Sequence, residues 1–225
     1  MSLVRADRDQ LVEGAAALGV ELSPLQLDQL LAYLGLIQKW NQVYNLTAVR
    51  DPADMLTYHL LDSLAVIAPL RRQLGMIGVD AAASLLDVGS GAGLPGIVIA
   101  ICFPQLAVHC VDTVAKKAAF LNQVAVALKL ANLRSIHARV ENLTDHYDVI
   151  SSRAFASLAD FTTLSRGALK TGGAWLAMKG QQPQTEIDAL NPGIEVFHVE
   201  QLIVPGLDAQ RCIVWMRQAG LKRVV

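Results

Sequence analysis

The chain of 225 residues predicts an α/β fold, a mostly parallel twisted sheet with crossover helices and a helical extension ahead of it. Three observations carry that prediction. From Ser84 onward, short apolar runs alternate with helical patterns, as in a parallel sheet. The first of those runs lies in "LLDVGSGAGLPGIVIA", Leu85 to Ala100, and ends in an acid followed by a glycine cluster. Ahead of it, leucines recur at helical spacing.

In the N-terminal part, Ser23 and Pro24 have the pattern of an N-cap and first helical position, and Leu27, Leu30, Leu31, Leu34 and Ile37 form one apolar face. That helix runs toward Trp40, where the polar "NQVYNLTAVRDP" breaks it. Asp51 and Pro52 repeat the cap, and Leu56, Leu60, Leu61, Leu64 and Ile67 give the next helix its apolar side. His59 falls opposite those leucines, with Met55 and Asp62. A helical region over 1–78 is expected, followed by a sheet domain over 79–225. Strands are expected at Ser84 to Val88, Ala107 to Val111, Leu133 to His137, Tyr147 to Ser151 and Ala174 to Met178. The closing "IEVFHVEQLIVPGLDAQRCIVWMRQ" has no room for a crossover helix and predicts an antiparallel hairpin at one end of the sheet. Open sheets of this kind bind ligands beyond the carboxyl ends of their strands, where the strand order reverses.

Composition narrows the function classes. Hydrophobic residues make up 53% of the chain, yet every apolar run is interrupted well short of the ~20 residues a membrane span needs. The N-terminus mixes charges from Arg5 onward and has no apolar signal core. A soluble cytoplasmic protein with no membrane partner is expected. Cys102, Cys110 and Cys212 lie in apolar segments without CxxC spacing, which argues against a disulfide framework or a metal site. The net charge of −1 gives no global basic field, so any nucleic-acid contact must use a local patch.

Gly91, Gly93 and Gly96 satisfy GxGxxG, and Asp112 follows Gly91 by 21 positions, at the end of the next strand. Glycines let backbone approach a ligand closely, and a carboxylate at that distance can accept from ribose hydroxyls. Both features suit any adenosine cofactor. Asp87, just ahead of Gly89, would repel a pyrophosphate and suits a cationic sulfonium or ammonium group. S-adenosylmethionine is therefore favoured over a nicotinamide dinucleotide, which stays open as the cofactor of an oxidoreductase. Asp87 has a structural alternative, as a cap on the helix beginning near Pro95.

With these pieces assembled, the chain resembles the small-subunit (16S) ribosomal RNA guanine-N7 methyltransferases, the glucose-inhibited division protein B family. The matching stretches are "WNQVYNLTAVRDP", "YHLLDSL", "LLDVGSGAGLPGIVIAI", "VDTVAKKAAFLNQV", "RVENL", "ISSRAFASL" and "MKG", collinear from Trp40 to Gly180. The resemblance implies a class I S-adenosylmethionine-dependent methyltransferase fold, Rossmann-like, and methylation of N7 of one guanine in 16S rRNA. It places cofactor contacts on Gly89 and Leu94, with Asp87, Ser90, Gly91 and Gly93 in the same loop, and on Asp112, Val140, Glu141 and Arg153. A catalytically idle RNA-binding relative is the remaining alternative.

No GxSxG, HExxH or Walker A sequence is present, and the five histidines are scattered. Guanine N7 accounts for that silence, since its lone pair can attack a sulfonium methyl without prior loss of a proton. Orientation replaces base catalysis, a contribution on the order of 7–11 kcal/mol. Arg153, and after it Lys179, are the candidates for orienting the base, although an arginine also pairs readily with a local acid. RNA contacts are expected from Lys39, Arg50, His59 and Arg139, with Trp40 and Tyr44 as stacking platforms. The alternatives are solvated charges, a buried histidine and a core tryptophan. Lys222 and Arg223 would add contacts from the C-terminus. Because N7 is hidden in the narrow major groove of an RNA helix, the target must be looped or flipped. Near-neutral charge suggests a folded 30S particle as substrate and weak binding to bare RNA. A monomer is expected.

Overall fold

The computed structural model describes residues 2–76 and 83–220. The 78/79 boundary, Lys222 and Arg223 therefore lie outside the described residues.

Seven strands form one sheet in the order β3-β2-β1-β4-β5-β7-β6, with β1 Ser84–Val88, β2 Ala107–Asp112, β3 Leu133–His137, β4 Tyr147–Arg153, β5 Leu169–Lys179, β6 Ile194–Leu202 and β7 Arg211–Gln218. The first five run parallel, and β7 pairs antiparallel with both β5 and β6. The expected bounds of β1 and β3 match those observed, while β4 and β5 run on to Arg153 and Lys179. The order reverses between β1 and β4, so their carboxyl ends open the crevice where such sheets hold ligands.

Ahead of the sheet stand α1 Ser2–Ala17 and α2 Pro24–Tyr44. The start of α2 is a capping box. Gln26 N donates to Ser23 Oγ at 3.3 Å, and Ser23 N donates to Gln26 Oε1 at 2.9 Å. Gln26 Nε2 also donates to the Ile101 carbonyl at 3.0 Å, tying this start to the end of α6 Gly96–Cys102. After Asp51 comes a broken helix: α3 Pro52–Met55, a π-helical turn Leu56–Leu61 and α4 Asp62–Leu64, then α5 Ile67–Met76. The regular leucine spacing does not reveal that π turn. Through this broken helix Met55, His59 and Asp62 are buried as well as the leucines, while Tyr58 stays exposed. Of the readings weighed for His59, the buried histidine is the one observed.

Alternation along the strands divides the core in two. Leu85, Val149, Leu176 and Ile213 join one cluster, whereas Leu86, Ile150, Trp175 and Val214 join the other. The first cluster continues without a gap through α6 and α7 Ala115–Ala127 into Leu11, Leu30, Tyr33, Ile37, Leu60 and Leu64. The N-terminal helices therefore complete one face of the sheet, and each fully buried leucine there contributes about 1.5–3 kcal/mol. The second cluster lies under α8 Leu158–Ser165, whose Phe161 is fully buried.

Candidate functional site

Two cavities open at the carboxyl end of the sheet and share the wall residue Ala154. Ala154 follows β4 with φ +52°, a left-handed conformation uncommon for a residue with a Cβ.

The first cavity, about 390 Å³, lies over the ends of β1 and β2. Its walls include Gly89, Asp112, Arg139, Val140, Glu141 and Phe155. Gly89 has φ +66°, and a Cβ there would collide with the Phe155 ring. Asp112 is held by the loop it faces, its Oδ2 accepting from Gly91 N at 2.9 Å and its Oδ1 from Val114 N at 2.8 Å. Lys117 Nζ stands 3.9 Å from the same Oδ2. A carboxylate at the rim, apolar walls from Val88, Val111 and Leu164, and a close backbone approach at Gly89 suit an adenosine group.

Asp87 does not open into this space. It is 0% exposed, its Oδ2 accepts from Gly96 N at 3.1 Å and its Oδ1 accepts from Ser151 Oγ at 2.8 Å. Burial pushes its carboxyl up to about 7, against the hydrogen bonds of Ser151 and Gly96, which lower it. The expectation of a charge at the mouth of the loop is therefore corrected. The side chain points inward because α6 needs a partner for its first amide, and Gly96 packs so tightly that a Cβ would stand 2.5 Å from Cys110 Sγ. Ser90, Gly91, Gly93 and Leu94 likewise line neither cavity. Ser90 Oγ donates to the Val111 carbonyl at 3.3 Å, Leu94 is buried in the core, and their part is to shape the turn. Tyr33 braces that turn from α2, its hydroxyl donating to the Ala92 carbonyl at 2.6 Å. The spacing of α2 marked an apolar face without marking this contact.

The second cavity, about 400 Å³, is walled by side chains from distant segments: Thr47, the π turn, the end of β4, the end of β5 and the start of β7. Asp62, 3% exposed, sits between two guanidinium groups. Arg153 Nη1 donates to Asp62 Oδ2 at 2.9 Å and to the Tyr58 carbonyl at 3.0 Å, and Arg211 Nε donates to Asp62 Oδ1 at 2.9 Å. Lys179 Nζ donates to Glu186 Oε2 at 2.8 Å and to the Ala156 carbonyl at 3.0 Å. Both residues expected to orient a base thus line this cavity, and Arg153 does have its local acid. Asp62 and Arg211 were missed as site residues. Their side chains meet across 149 positions, a separation that leaves no local signal.

Of the residues expected to touch RNA, Arg139 is exposed at the first cavity and His59 lines the second. His59 is not a surface group. It is 2% exposed, and burial followed by the charge of Arg153 pulls its imidazole down to about 4. Lys39 and Arg50 are exposed and line neither cavity, with Arg50 Nη2 donating to Asn45 Oδ1 at 2.9 Å. Trp40 is half-buried against α7. Its ring lies edge-on to Phe120 with centroids 5.3 Å apart, and its Nε1 donates to Gln123 Oε1 at 3.1 Å. Tyr44 is partly exposed and carries Lys116 Nζ 5.2 Å from its ring centroid.

Among the described residues, no helix is long and apolar enough to cross a membrane. Among solved structures, the chain is similar to TrmN from Thermus thermophilus, with TM-score 0.52 and 16% identity over 72% of this chain and 53% of that one. It is also similar to the ribosomal protein L11 methylase from Lactobacillus delbrueckii subsp. bulgaricus, with TM-score 0.52 and 11% identity over 68% and 79%. The shared fold is that of the class I methyltransferases. By sequence, it is 64% identical over 214 residues to the Ribosomal RNA small subunit methyltransferase G of Polaromonas sp. strain JS666, covering 95% of each chain. The protein of that name from Paracidovorax citrulli is 65% identical over 211 residues, 91% of this chain and 87% of that one. The family model for GidB, rRNA small subunit methyltransferase G, matches residues 26–214. With that match over most of its length and the two cavities at the reversal point of its sheet, the chain belongs to the GidB family of small-subunit rRNA methyltransferases.

Proposed function

We propose that this protein transfers a methyl group from S-adenosylmethionine to N7 of a guanine in small-subunit (16S) ribosomal RNA. The observation that carries the reading is the family match over residues 26–214, joined to two adjacent cavities that share the wall residue Ala154. A nicotinamide coenzyme loses its support, since the family is one of methyltransferases. The argument from Asp87 no longer discriminates, because that side chain faces inward.

The first cavity is the place for the cofactor. Gly89, Asp112, Val140 and Glu141 would hold it, through the close backbone at Gly89 and the rim carboxylate of Asp112. Asp87, Ser90, Gly91, Gly93 and Leu94 support it from behind by fixing the turn. When bound, the cofactor supplies a methyl carbon on cationic sulfur, which the N7 lone pair takes while the C–S electron pair returns to sulfur, leaving a cationic 7-methylguanine. No proton has to be removed, so the protein needs no general base. Its residues orient and exclude water. Arg153, immobilised by Asp62 and the Tyr58 carbonyl, presents a fixed cation beside the shared wall, and Lys179 presents a second. Fixed donors toward guanine O6 align the base without a reorganisation cost at the moment of transfer.

RNA contacts come from Arg139 beside the cofactor and from Lys39 and Arg50 on the helical region 1–78, with the sheet domain 79–225 doing the chemistry. The substrate is the folded 30S particle, because a chain of net charge −1 makes few phosphate contacts. The protein acts as a cytoplasmic monomer.

Tritium transfer from the donor to small-subunit particles, mapped to a base, tests cofactor, substrate and product together. Label on a guanine N7 is expected, and label elsewhere or none overturns the reading. Heat of binding measured separately with S-adenosylmethionine and NAD is expected for the first alone. Arg153→Ala should lower kcat more than it raises KM, and unchanged transfer removes its orienting role.

A further inference from the structure

His59 is kept in a state that the fold itself does not reward. It is 2% exposed, it lines the second cavity, and neither ring nitrogen has a hydrogen-bond partner. The Tyr58 carbonyl is near enough to favour the imidazolium, yet it accepts from Arg153 and makes no aligned hydrogen bond with the ring. Buried polar groups are ordinarily satisfied, so an imidazole enclosed in a cavity wall with both nitrogens unpaired points to a ligand that completes it.

The chemistry around it identifies that ligand. Arg153, Arg211 and Lys179 bring donors to the cavity. Asp62 brings acceptors, each oxygen engaged by one guanidinium with a further lone pair to offer. Burial keeps His59 neutral at working pH, so one of its nitrogens is an acceptor. Guanine presents N1–H and N2–H₂ donors on one edge and the O6 and N7 acceptors on the next. Acceptors at His59 and Asp62 set beside a group of cations match that pattern. Adenine would turn an amino group toward the cations in place of O6.

Resting on the reading above, we propose that the second cavity receives the target guanine and that His59 determines specificity, its unprotonated ring nitrogen accepting a hydrogen bond from guanine N1–H or N2–H₂.

The test presents small-subunit particles carrying guanine, inosine or 1-methylguanine at the methylated position to the wild type and to His59→Ala. Inosine lacks the 2-amino group, and 1-methylguanine lacks N1–H. Against guanine, the wild type should lose about tenfold or more in kcat/KM on at least one analogue. His59→Ala should lose about 10- to 100-fold on guanine, and its penalty for that same analogue should shrink at least about fivefold, with S-adenosylmethionine affinity within about twofold of wild type. A smaller change in the penalty overturns the proposal, as does a wild type indifferent to both analogues. Should His59→Ala not fold, His59→Phe keeps the bulk, lacks the nitrogens and serves the same comparison. If the wild type transfers no methyl group to guanine, the reading of the preceding subsection fails. Transfer with unchanged discrimination in the variant removes this inference alone.

Discussion

The two cavities on either side of Ala154 are built from different material. The first combines the close backbone approach at Gly89 and the segment Ala138 to Glu141 with apolar side chains from Val88, Val111, Phe155 and Leu164 and the carboxylate of Asp112. The second is made by side chains from five separate segments, three of which are tied together where Arg153 and Arg211 both pair with Asp62. Where the backbone approaches as closely as at Gly89, a wall is vulnerable to an added Cβ. A site of side chains is vulnerable at whichever group holds the others.

The sharpest way to break this contrast is at Gly89. Gly89→Ala places a methyl group in a left-handed backbone, costing about 1–2 kcal/mol, and drives the Phe155 ring out of its seat against the cavity. We expect S-adenosylmethionine affinity, read by calorimetry, to fall by about 100-fold. Gly91 also has positive φ, but its nearest atom would be the Gly89 carbonyl oxygen at 3.9 Å. Gly91→Ala should therefore lose about tenfold or less. Equal losses would mean that turn strain, and not the cavity wall, sets the affinity.

Asp62 is the corresponding point in the second cavity. Asp62→Asn removes the charge that two guanidinium groups share. Because both arginines are partly exposed, the loss should be about 1–3 kcal/mol in urea unfolding, below the 3–5 of a fully buried pair. Methyl transfer should fall about tenfold while donor affinity stays within about twofold. A variant that transfers normally would show that the clamp on Arg153 does not matter.

A smaller effect separates two buried titrating groups, Asp87 behind the turn after β1 and His59 in the wall of the second cavity. The carboxyl of Asp87 is raised to about 7, so from about pH 4 to 7 the folded protein keeps a proton that the unfolded chain has released, and stability falls as pH rises. The imidazole of His59 is lowered to about 4 against an ordinary value of 6.5, so over that lower range the unfolded chain holds the extra proton and stability rises with pH. Each slope is up to about 1.4 kcal/mol per pH unit, and the two oppose. Wild-type stability should be nearly flat there. Asp87→Asn should leave the rising slope and His59→Gln the falling one, by urea titrations at about pH 4.5 and about pH 6. A flat profile in both variants would refute the assignment.

The smallest effect is expected at Lys39 and Arg50, which line neither cavity. Lys39→Ala or Arg50→Ala should weaken particle binding less than about threefold and reduce the salt slope by about 1 or less. A larger loss would extend the functional surface well beyond the two cavities.

The same contrast explains what could be read in the chain before its fold was known. The bounds of β1 and β3, the Ser23 cap and the C-terminal hairpin were legible, since capping and alternation are properties of neighbours along the chain. Gly89, Asp112, Val140 and Glu141 were named together only through the family resemblance, and all four line the first cavity, at the carboxyl ends of β1, β2 and β3. Asp87 was legible as an important residue but not in its orientation, since an acid near the end of a buried strand can serve a ligand or a helix equally well. Asp62 and Arg211 were not legible at all, and neither was the π turn, whose leucines fit a plain α-helix.

The order of letters alone thus determined most of the elements, the turn after the first strand and the family, because propensity, periodicity and glycine spacing act over a few residues. Only the tertiary structure decided that Asp87 faces inward, that Arg153 and Arg211 share Asp62, that His59 is enclosed without a partner and that the N-terminal helices complete the core of the sheet. Burial and charge pairing depend on groups many dozens of positions apart, and folding alone brings those groups within a few ångströms of each other.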